Sequence, residues 1–300
     1  MLSQKLMPIT KIFLAGYRRD VRFTRCCVAS IRKWYPHIRI SLIKDELAGA
    51  YDTSDLEQFY GVDIFDGGVR SYGWGMSKLE PLFLPERQRI LILDSDIVFA
   101  GPVLDRLEQS AEDFVVAEEA HPGDEIREYY FDPELMERRH PGFRYPGYVF
   151  NTGQIVATSG ILQREDFSPF VSFSEPRRSL EPEVFRCGEQ GLLNFMLFSH
   201  QQRGRLSIGR TAFMQWAGRL RPEDVEIARL EGGSPYDFLV HWAGPKAAGL
   251  SSTPMKYLLT YFEDAYYRRI SHGALLKHFH KLQPLAADLS KKLKCWRRHG

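Results

Sequence analysis

Over its first hundred residues the chain switches between two hydrophobic periods. KIFLAG (11–16) is an apolar run that reads as a strand. After it, Phe23, Cys27 and Ile31 recur every four residues, the spacing of one buried helix face, and Asp20 is placed to cap a helix through Lys33. IRISLIK (38–44), VDIFDG (62–67) and RILILD (89–94) read as three further strands. Strand and helix signals in alternation imply an α/β domain built on a mostly parallel central sheet. Further along, DFVVAEE (113–119), GQIVATS (153–159) and FLVHW (238–242) read as strands, and EQGLLNFMLFSH (189–200) as a helix. The stretch 121–148, rich in Pro, Gly, Tyr and charge, reads as irregular, and its aromatic content argues against disorder.

One strand ends unusually. RILILDSD (89–96) runs from a core-like apolar sequence straight into two carboxylates, Asp94 and Asp96. Burying a carboxylate is costly unless a cation compensates it. Two carboxylates at i and i+2 around a strand end can converge on a hard divalent cation. Asp-Ser-Asp is also good turn chemistry, and that is the competing reading. In open parallel sheets ligands bind beyond the carboxyl ends of the strands, where this pair sits.

Composition narrows the class. With 300 residues, 44% hydrophobic and 26% charged, the chain matches an ordinary soluble globular protein. No apolar stretch approaches the roughly 20 residues that span a bilayer. The N-terminal segment lacks the apolar core and cleavage site of a secretion signal. Cys26, Cys27, Cys187 and Cys295 show neither disulfide nor zinc spacing, so a reduced, cytoplasmic location is expected.

The net charge is +2, yet residues 271–300 alone carry seven Lys/Arg against Asp288, a net of +6 that leaves −4 for residues 1–270. That asymmetry divides the chain into a main domain, 1–270, and a basic tail, 271–300. Leu285, Leu289, Leu293 and Trp296 would form one apolar stripe of a tail helix, with Lys291, Lys292, Lys294, Arg297 and Arg298 mostly off it. Such a helix can lie peripherally on an anionic membrane or dock on the protein's own core. Basic residues confined to a tail argue against nucleic-acid binding.

Five segments, in order, resemble the family 8 glycosyltransferases, which include glycogenin and the bacterial lipopolysaccharide galactosyl- and glucosyltransferases. They are IFLAGYRRD, SKLEPL (77–82), ILDSDIVF (92–99), FNTGQIVAT (150–158) with GEQGLLN (188–194), and HWAGPK (241–246). The resemblance implies a single-domain GT-A fold and transfer of a hexose from a UDP-sugar to a hydroxyl of a glycan or glycolipid, with retention of configuration. It implies metal binding by Asp94, Asp96 and His241, and an imidazole ligand favours Mn²⁺ over Mg²⁺. Ser95, between the two aspartates, falls in the same donor-binding motif.

The resemblance places Lys78 against donor sugar or phosphate and Asn151 against the sugar hydroxyls. Gly244 and Lys246 belong to a loop that closes over the diphosphate. Glu189 and Gln190 fall beside the reacting carbon. Uridine falls near Ala15, Gly16 and Tyr17. Two departures stand out: the family's Asp-Gln-Asp is Glu189-Gln190-Gly191 here, and its His-x-x-Gly-x-x-Lys-Pro-Trp is shortened to HWAGPKAAG. Simpler readings exist for single residues: a solvated helix lysine for Lys78, a packed histidine for His241, and a helix-terminal acid for Glu189. Segment 121–148, with Tyr129, Tyr130, Phe143 and Tyr145, is the expected acceptor wall.

Two other classes compete. A haloacid dehalogenase-type phosphohydrolase also begins with a strand and Asp-x-Asp, but there the motif ends the first strand of the domain. A non-catalytic GT-A-like protein would bind a nucleotide-sugar without turning it over.

Overall fold

The computed structural model describes residues 7–233, 235–244 and 253–280. The chain enters through β1 (Ile9–Tyr17), α1 (Val21–Trp34), β2 (Arg39–Asp45), α2 (Ser54–Tyr60) and β3 (Val62–Ile64). A 3₁₀ segment, Trp74–Phe83, leads to β4 (Arg89–Asp94) and β5 (Ile97–Phe99). Then come α3 (Leu104–Leu107), β6 (Phe114–Ala117), α4 (Gly123–Tyr129), α5 (Pro133–Arg139) and β7 (Gln154–Thr158). The remainder is α6 (Arg164–Phe167), β8 (Val171–Ser172), β9 (Arg178–Ser179), α7 (Glu189–Gln202), β10 (Ile208–Thr211), β11 (Met214–Trp216), α8 (Ile227–Glu231), β12 (Leu239–His241) and α9 (Lys256–Arg268).

Seven strands form the main sheet in the order β10-β6-β7-β4-β1-β2-β3. β7 runs antiparallel to both of its neighbours, and the other pairings are parallel. The apolar runs of β1 and β4 are continuous because both faces of the sheet are covered. Leu91 and Leu93 pack with α1 and α9 on one face, while Ile90 and Ile92 pack with Met76, Leu79 and α7 on the other. A second sheet, β11-β12-β5, is entered from the carboxyl end of β4 through β5.

Phe23, Cys27 and Ile31 are buried, as their spacing predicts. Asp20 occupies the N-cap position of α1 but makes no side-chain cap hydrogen bond there. Segment 121–148 is not irregular throughout. It contains α4 and α5, and α5 is capped by Asp132, whose carboxylate accepts from Leu135 N at 2.8 Å ahead of Pro133. Tyr130 and Phe143 belong to the core and only Tyr129 of the four expected wall rings is exposed.

Helix α9 lies on α1, where Arg22 makes a two-pronged contact with Glu263 at 2.5 and 2.8 Å. Tyr60 of α2 stacks on Tyr266 at 4.5 Å between ring centres. Residues 273–280 are helical, and His280 lies 3.2 Å from Arg25 and 2.8 Å from the Tyr267 hydroxyl. No helix among the described residues is long and apolar enough to cross a membrane. The amphipathic segment 285–296 lies outside the described residues.

Candidate active site

The Asp-Ser-Asp turn connects the two sheets. β4 ends at Asp94, the chain turns through Ser95 and Asp96, and β5 begins at Ile97. β12 pairs antiparallel with β5, setting His241 opposite Ile97. A histidine remote in sequence is thereby delivered to the turn, with Nε2 3.3 Å from Asp96 Oδ1. One ligand atom from each of Asp94, Asp96 and His241 lies within 4.8 Å of the others. The His241 ring is 2% exposed, stacks on Trp216 at 5.0 Å and 23°, and its Nδ1 has no hydrogen-bond partner. Burial alone therefore does not account for the imidazole, since a packed core histidine normally satisfies both nitrogens.

Gly153 completes this cradle. Its carbonyl accepts from Asp94 N at 2.7 Å. A Cβ there would lie 2.5 Å from His241 Cε1 and 2.9 Å from Asp94 Oδ2. Any other residue would press on two of the three ligand groups.

Lys78 sits at the centre of the remaining charge. Its Nζ lies 3.0 Å from Asp94 Oδ1 and 2.5 Å from Glu189 Oε1, and it is buried. The solvated-lysine reading is thus wrong for the burial of this residue. Burial opposes the ammonium, but Asp94 and Glu189 outweigh it and raise its pKa. Burial raises the pKa of Asp94, Lys78 pulls it back, and Asp96 adds to the rise, leaving it above the ordinary carboxylate range. Asp94 and Glu189 share the one ammonium of Lys78, and Asp96 beside His241 adds a further carboxylate, a concentration of acidic groups that a divalent cation would offset. Two carboxylates and an imidazole are also a donor set suited to a divalent transition metal.

The N-terminus of α7 forms the opposite wall. Glu189 is buried and accepts from Thr152 Oγ1 at 2.9 Å. Gln190 Oε1 accepts from Asn151 Nδ2 at 2.9 Å, and Gln190 Nε2 donates to Tyr129 O at 3.2 Å. Asn194, fully buried one turn later, donates to Phe150 O and accepts from Phe150 N, both at 2.9 Å. Asn194 thereby fastens the Phe150–Gly153 loop to α7, a role for which its place in GEQGLLN gave the only sequence signal. At Gly191 a Cβ would lie 2.0 Å from Tyr130 O, so a third acid after Glu189 and Gln190, as in the Asp-Gln-Asp that this segment resembles, has no room on this backbone.

No family model matches this chain, and no curated protein matches it. Solved structures do. The fold is that of the GT-A glycosyltransferases. The glycosyltransferase GlyE of Streptococcus pneumoniae TIGR4 superposes with a TM-score of 0.50 at 16% identity, over 92% of this chain and 64% of that one. The bifunctional glycosyltransferase WbbM gives 0.56 at 12% identity, over 87% and 52%. The galactosyltransferase LgtC, in complex with donor and acceptor sugar analogues, gives 0.51 at 13% identity, over 85% and 95%. The chain thus spans less than two thirds of GlyE and about half of WbbM.

Of the other expected residues, Ala15, Gly16, Tyr17 and Ser95 lie at the same carboxyl ends of β1 and β4. Ala15 pairs with Asp94 across β1 and β4, and Gly16 and Tyr17 follow it at the carboxyl end of β1. Gly16 has no room for a side chain, as its Cβ would lie 2.4 Å from Leu42 Cδ1. Ser95 is buried within the turn. Gly244 has a left-handed backbone, φ 87°. Lys246 lies outside the described residues. Thr152 and Asn194 are the site residues that the sequence reading passed over.

Proposed function

We propose that this chain is a metal-dependent, retaining glycosyltransferase that moves a hexose from a UDP-sugar to a hydroxyl of a glycan or glycolipid. One observation carries the reading: within a GT-A fold, the Asp94, Asp96 and His241 ligand atoms converge at the carboxyl end of the central strand, beside the Lys78–Glu189 pair. The phosphohydrolase alternative fits less well, because β4 is the fourth strand of the main sheet in chain order and His241 would have no role in it.

In this reading Asp94, Asp96 and His241 would hold Mn²⁺, or Mg²⁺ in its place. The cation would supply positive charge where the departing diphosphate becomes more negative. Lys78 would orient Asp94 and Glu189 through its two ion pairs. Ala15, Gly16 and Tyr17 would bind uridine, with Ser95 beside the diphosphate and Gly244 and Lys246 in the loop that covers it. Asn151 would hold the sugar hydroxyls. Glu189 and Gln190 would stabilise an oxocarbenium-like centre at the anomeric carbon. The acceptor hydroxyl would attack that carbon as its bond to the diphosphate oxygen breaks, and the leaving oxygen would take the hydroxyl proton. LgtC has been solved as an active-site mutant replacing a glutamine by glutamate, and we assign the amide of this chain's site to Gln190.

The test is thermal stability with UDP, with and without Mn²⁺. A ligand at a hundredfold excess over its Kd adds about 2.7 kcal/mol of stability. UDP should stabilise the wild type only with Mn²⁺, and Asp96→Asn should abolish that effect while keeping the fold. UDP release from a UDP-sugar panel then separates an enzyme from a binding protein. An Mn²⁺ requirement unchanged in Asp96→Asn would sink the metal assignment.

A further inference from the structure

Trp74 is the most exposed tryptophan of the described residues, with 57% of its surface open to solvent. Its indole makes no ring, cation or hydrogen-bond contact with any described residue. A large apolar ring left in water next to a polar site calls for an explanation.

Its backbone sharpens the question. Trp74 has φ 59°, in the left-handed region that side chains other than glycine and asparagine rarely adopt, and Gly73 before it has φ 74°. That conformation is held in place from below. The buried Asp45 carboxylate accepts from Trp74 N at 2.6 Å and from Tyr72 N at 3.1 Å. On the other side, Gly75 lies so close to Glu189 that a Cβ would approach Oε2 to 1.6 Å. A Cβ on Gly188 would lie 3.6 Å from the indole Cε3, so one edge of the ring rests against the residue preceding Glu189. A costly backbone geometry, maintained by a buried carboxylate, thus fixes an otherwise uncommitted ring beside a catalytic-type acid. Strain retained in this way points to function.

We propose that Trp74 is the stacking platform for a pyranose ring of the acceptor saccharide. This inference rests on the glycosyltransferase reading above. Outward from Asp94 the contacts run through Lys78 to Glu189, then to Gly75 and Trp74. Glu189 is assigned to the transferred sugar, so the ring beyond it faces the molecule that receives that sugar. The C–H face of a pyranose carries partial positive charge and complements the electron-rich face of indole. Burying that face against the ring also removes an exposed apolar surface from water. The contact reads the shape of a sugar face rather than its charge, so a neutral hexose is the class of ligand that fits.

The experiment is saturation-transfer NMR on the full chain with lactose and the methyl glycosides of glucose and galactose. UDP and diamagnetic Mg²⁺ are present throughout. The wild type should saturate the ring protons of one face of at least one saccharide. Trp74→Ala should weaken that binding at least about tenfold, whereas Trp74→Phe, which keeps an aromatic face, should retain most of it. Equal saturation of wild type and Trp74→Ala, or none by the wild type, overturns the proposal. Thermal shift by UDP with Mn²⁺ is measured on the same three proteins and should be equal in all of them. If the wild type shows no such shift, the glycosyltransferase reading fails. A normal UDP shift with no Trp74-dependent saccharide signal removes the platform alone.

Discussion

Lys78 Nζ lies 2.5 Å from Glu189 Oε1 and 3.0 Å from Asp94 Oδ1, so one buried ammonium joins the proposed metal site to the start of α7. The link couples two halves of the site that the chain builds separately. Asp94 comes from the central strand and Glu189 from the helix on one sheet face, while Lys78 is carried by the 3₁₀ segment Trp74–Phe83 between them. Leu79 and Leu82 anchor that segment in the core and hold the ammonium in place.

Lys78→Met removes the charge and leaves two carboxylates without their shared cation. Breaking a buried ion pair on one side costs about 3–5 kcal/mol. The variant should melt well below the wild type in a chelator, and Mn²⁺ should recover more stability for it than for the wild type. Melting curves with EDTA and with MnCl₂ check both statements. Equal melting temperatures of the two proteins in EDTA would show that the ammonium is not the neutralising charge.

Gln190 tests a different part of the site. Its amide bridges Asn151 and the Tyr129 carbonyl and makes no hydrogen bond with Asp94, Asp96 or His241. Gln190→Ala should therefore lower kcat, by about a hundredfold if it supplies one preorganised dipole to the transition state. Affinity for UDP with Mn²⁺ should stay the same, because the lost contact is to the sugar. Steady-state UDP release and a calorimetric titration separate the two quantities. Full turnover in the variant would take Gln190 out of the mechanism.

Much of this was legible from hydrophobic period alone. The strands at 11–16, 38–44, 62–67, 89–94, 113–119, 153–159 and 238–242 each appear within a few residues of their predicted places. The direction of β7 was not legible, because an apolar run buried on both faces reads the same either way. The carboxylate pair showed itself as a conflict between a core strand and its polar end. His241 entered through the family resemblance, since only the β5–β12 pairing brings it to Asp96. Helices α4 and α5 were missed because seven-residue helices carry too few turns for a clear apolar stripe. Asp132-Pro133 was a usable start signal for the second of them. Helix α9 was passed over, although its buried residues Leu258, Leu259, Phe262 and Tyr266 follow a helical period.

Gly191 stands where the resembled Asp-Gln-Asp pattern has its second aspartate. The obvious restoration is Gly191→Asp, and the backbone forbids it. The new Cβ would lie 2.0 Å from Tyr130 O and 3.0 Å from Arg186 N, both main-chain atoms. Arg186 N donates to that same carbonyl at 2.8 Å, so separating them costs a hydrogen bond as well. Overpacking a tight site costs about 1–3 kcal/mol. We expect a lower melting temperature and lower UDP release, rather than a gain of activity. A variant that is both stable and faster would mean that this wall opens more easily than its packing implies.

His121 sits between two carboxylates, Glu119 and Glu125, and that placement sets the sign of a pH dependence. Its Nε2 lies 3.3 Å from Glu119 Oε2 and 3.1 Å from the Tyr130 hydroxyl, and its Nδ1 lies 3.2 Å from Glu125 Oε2. Burial opposes the imidazolium, but Glu119 and Glu125 outweigh it and raise the pKa above the ordinary 6.5. A group whose folded pKa is raised contributes stability that is complete below its unfolded pKa and is lost as pH rises through the folded value. The contribution is thus full on the acid side of 6.5 and fades on the alkaline side. Glu119 also accepts from Asn151 N at 3.3 Å, which links His121 to the loop that carries Asn151. His121→Gln keeps a polar group of similar reach and cannot become charged. The gap in melting temperature between wild type and His121→Gln should be widest at acid pH and close as the pH is raised. A gap that stays constant across the pH range would show that His121 is neutral in the folded protein and that Glu119 is held by other contacts.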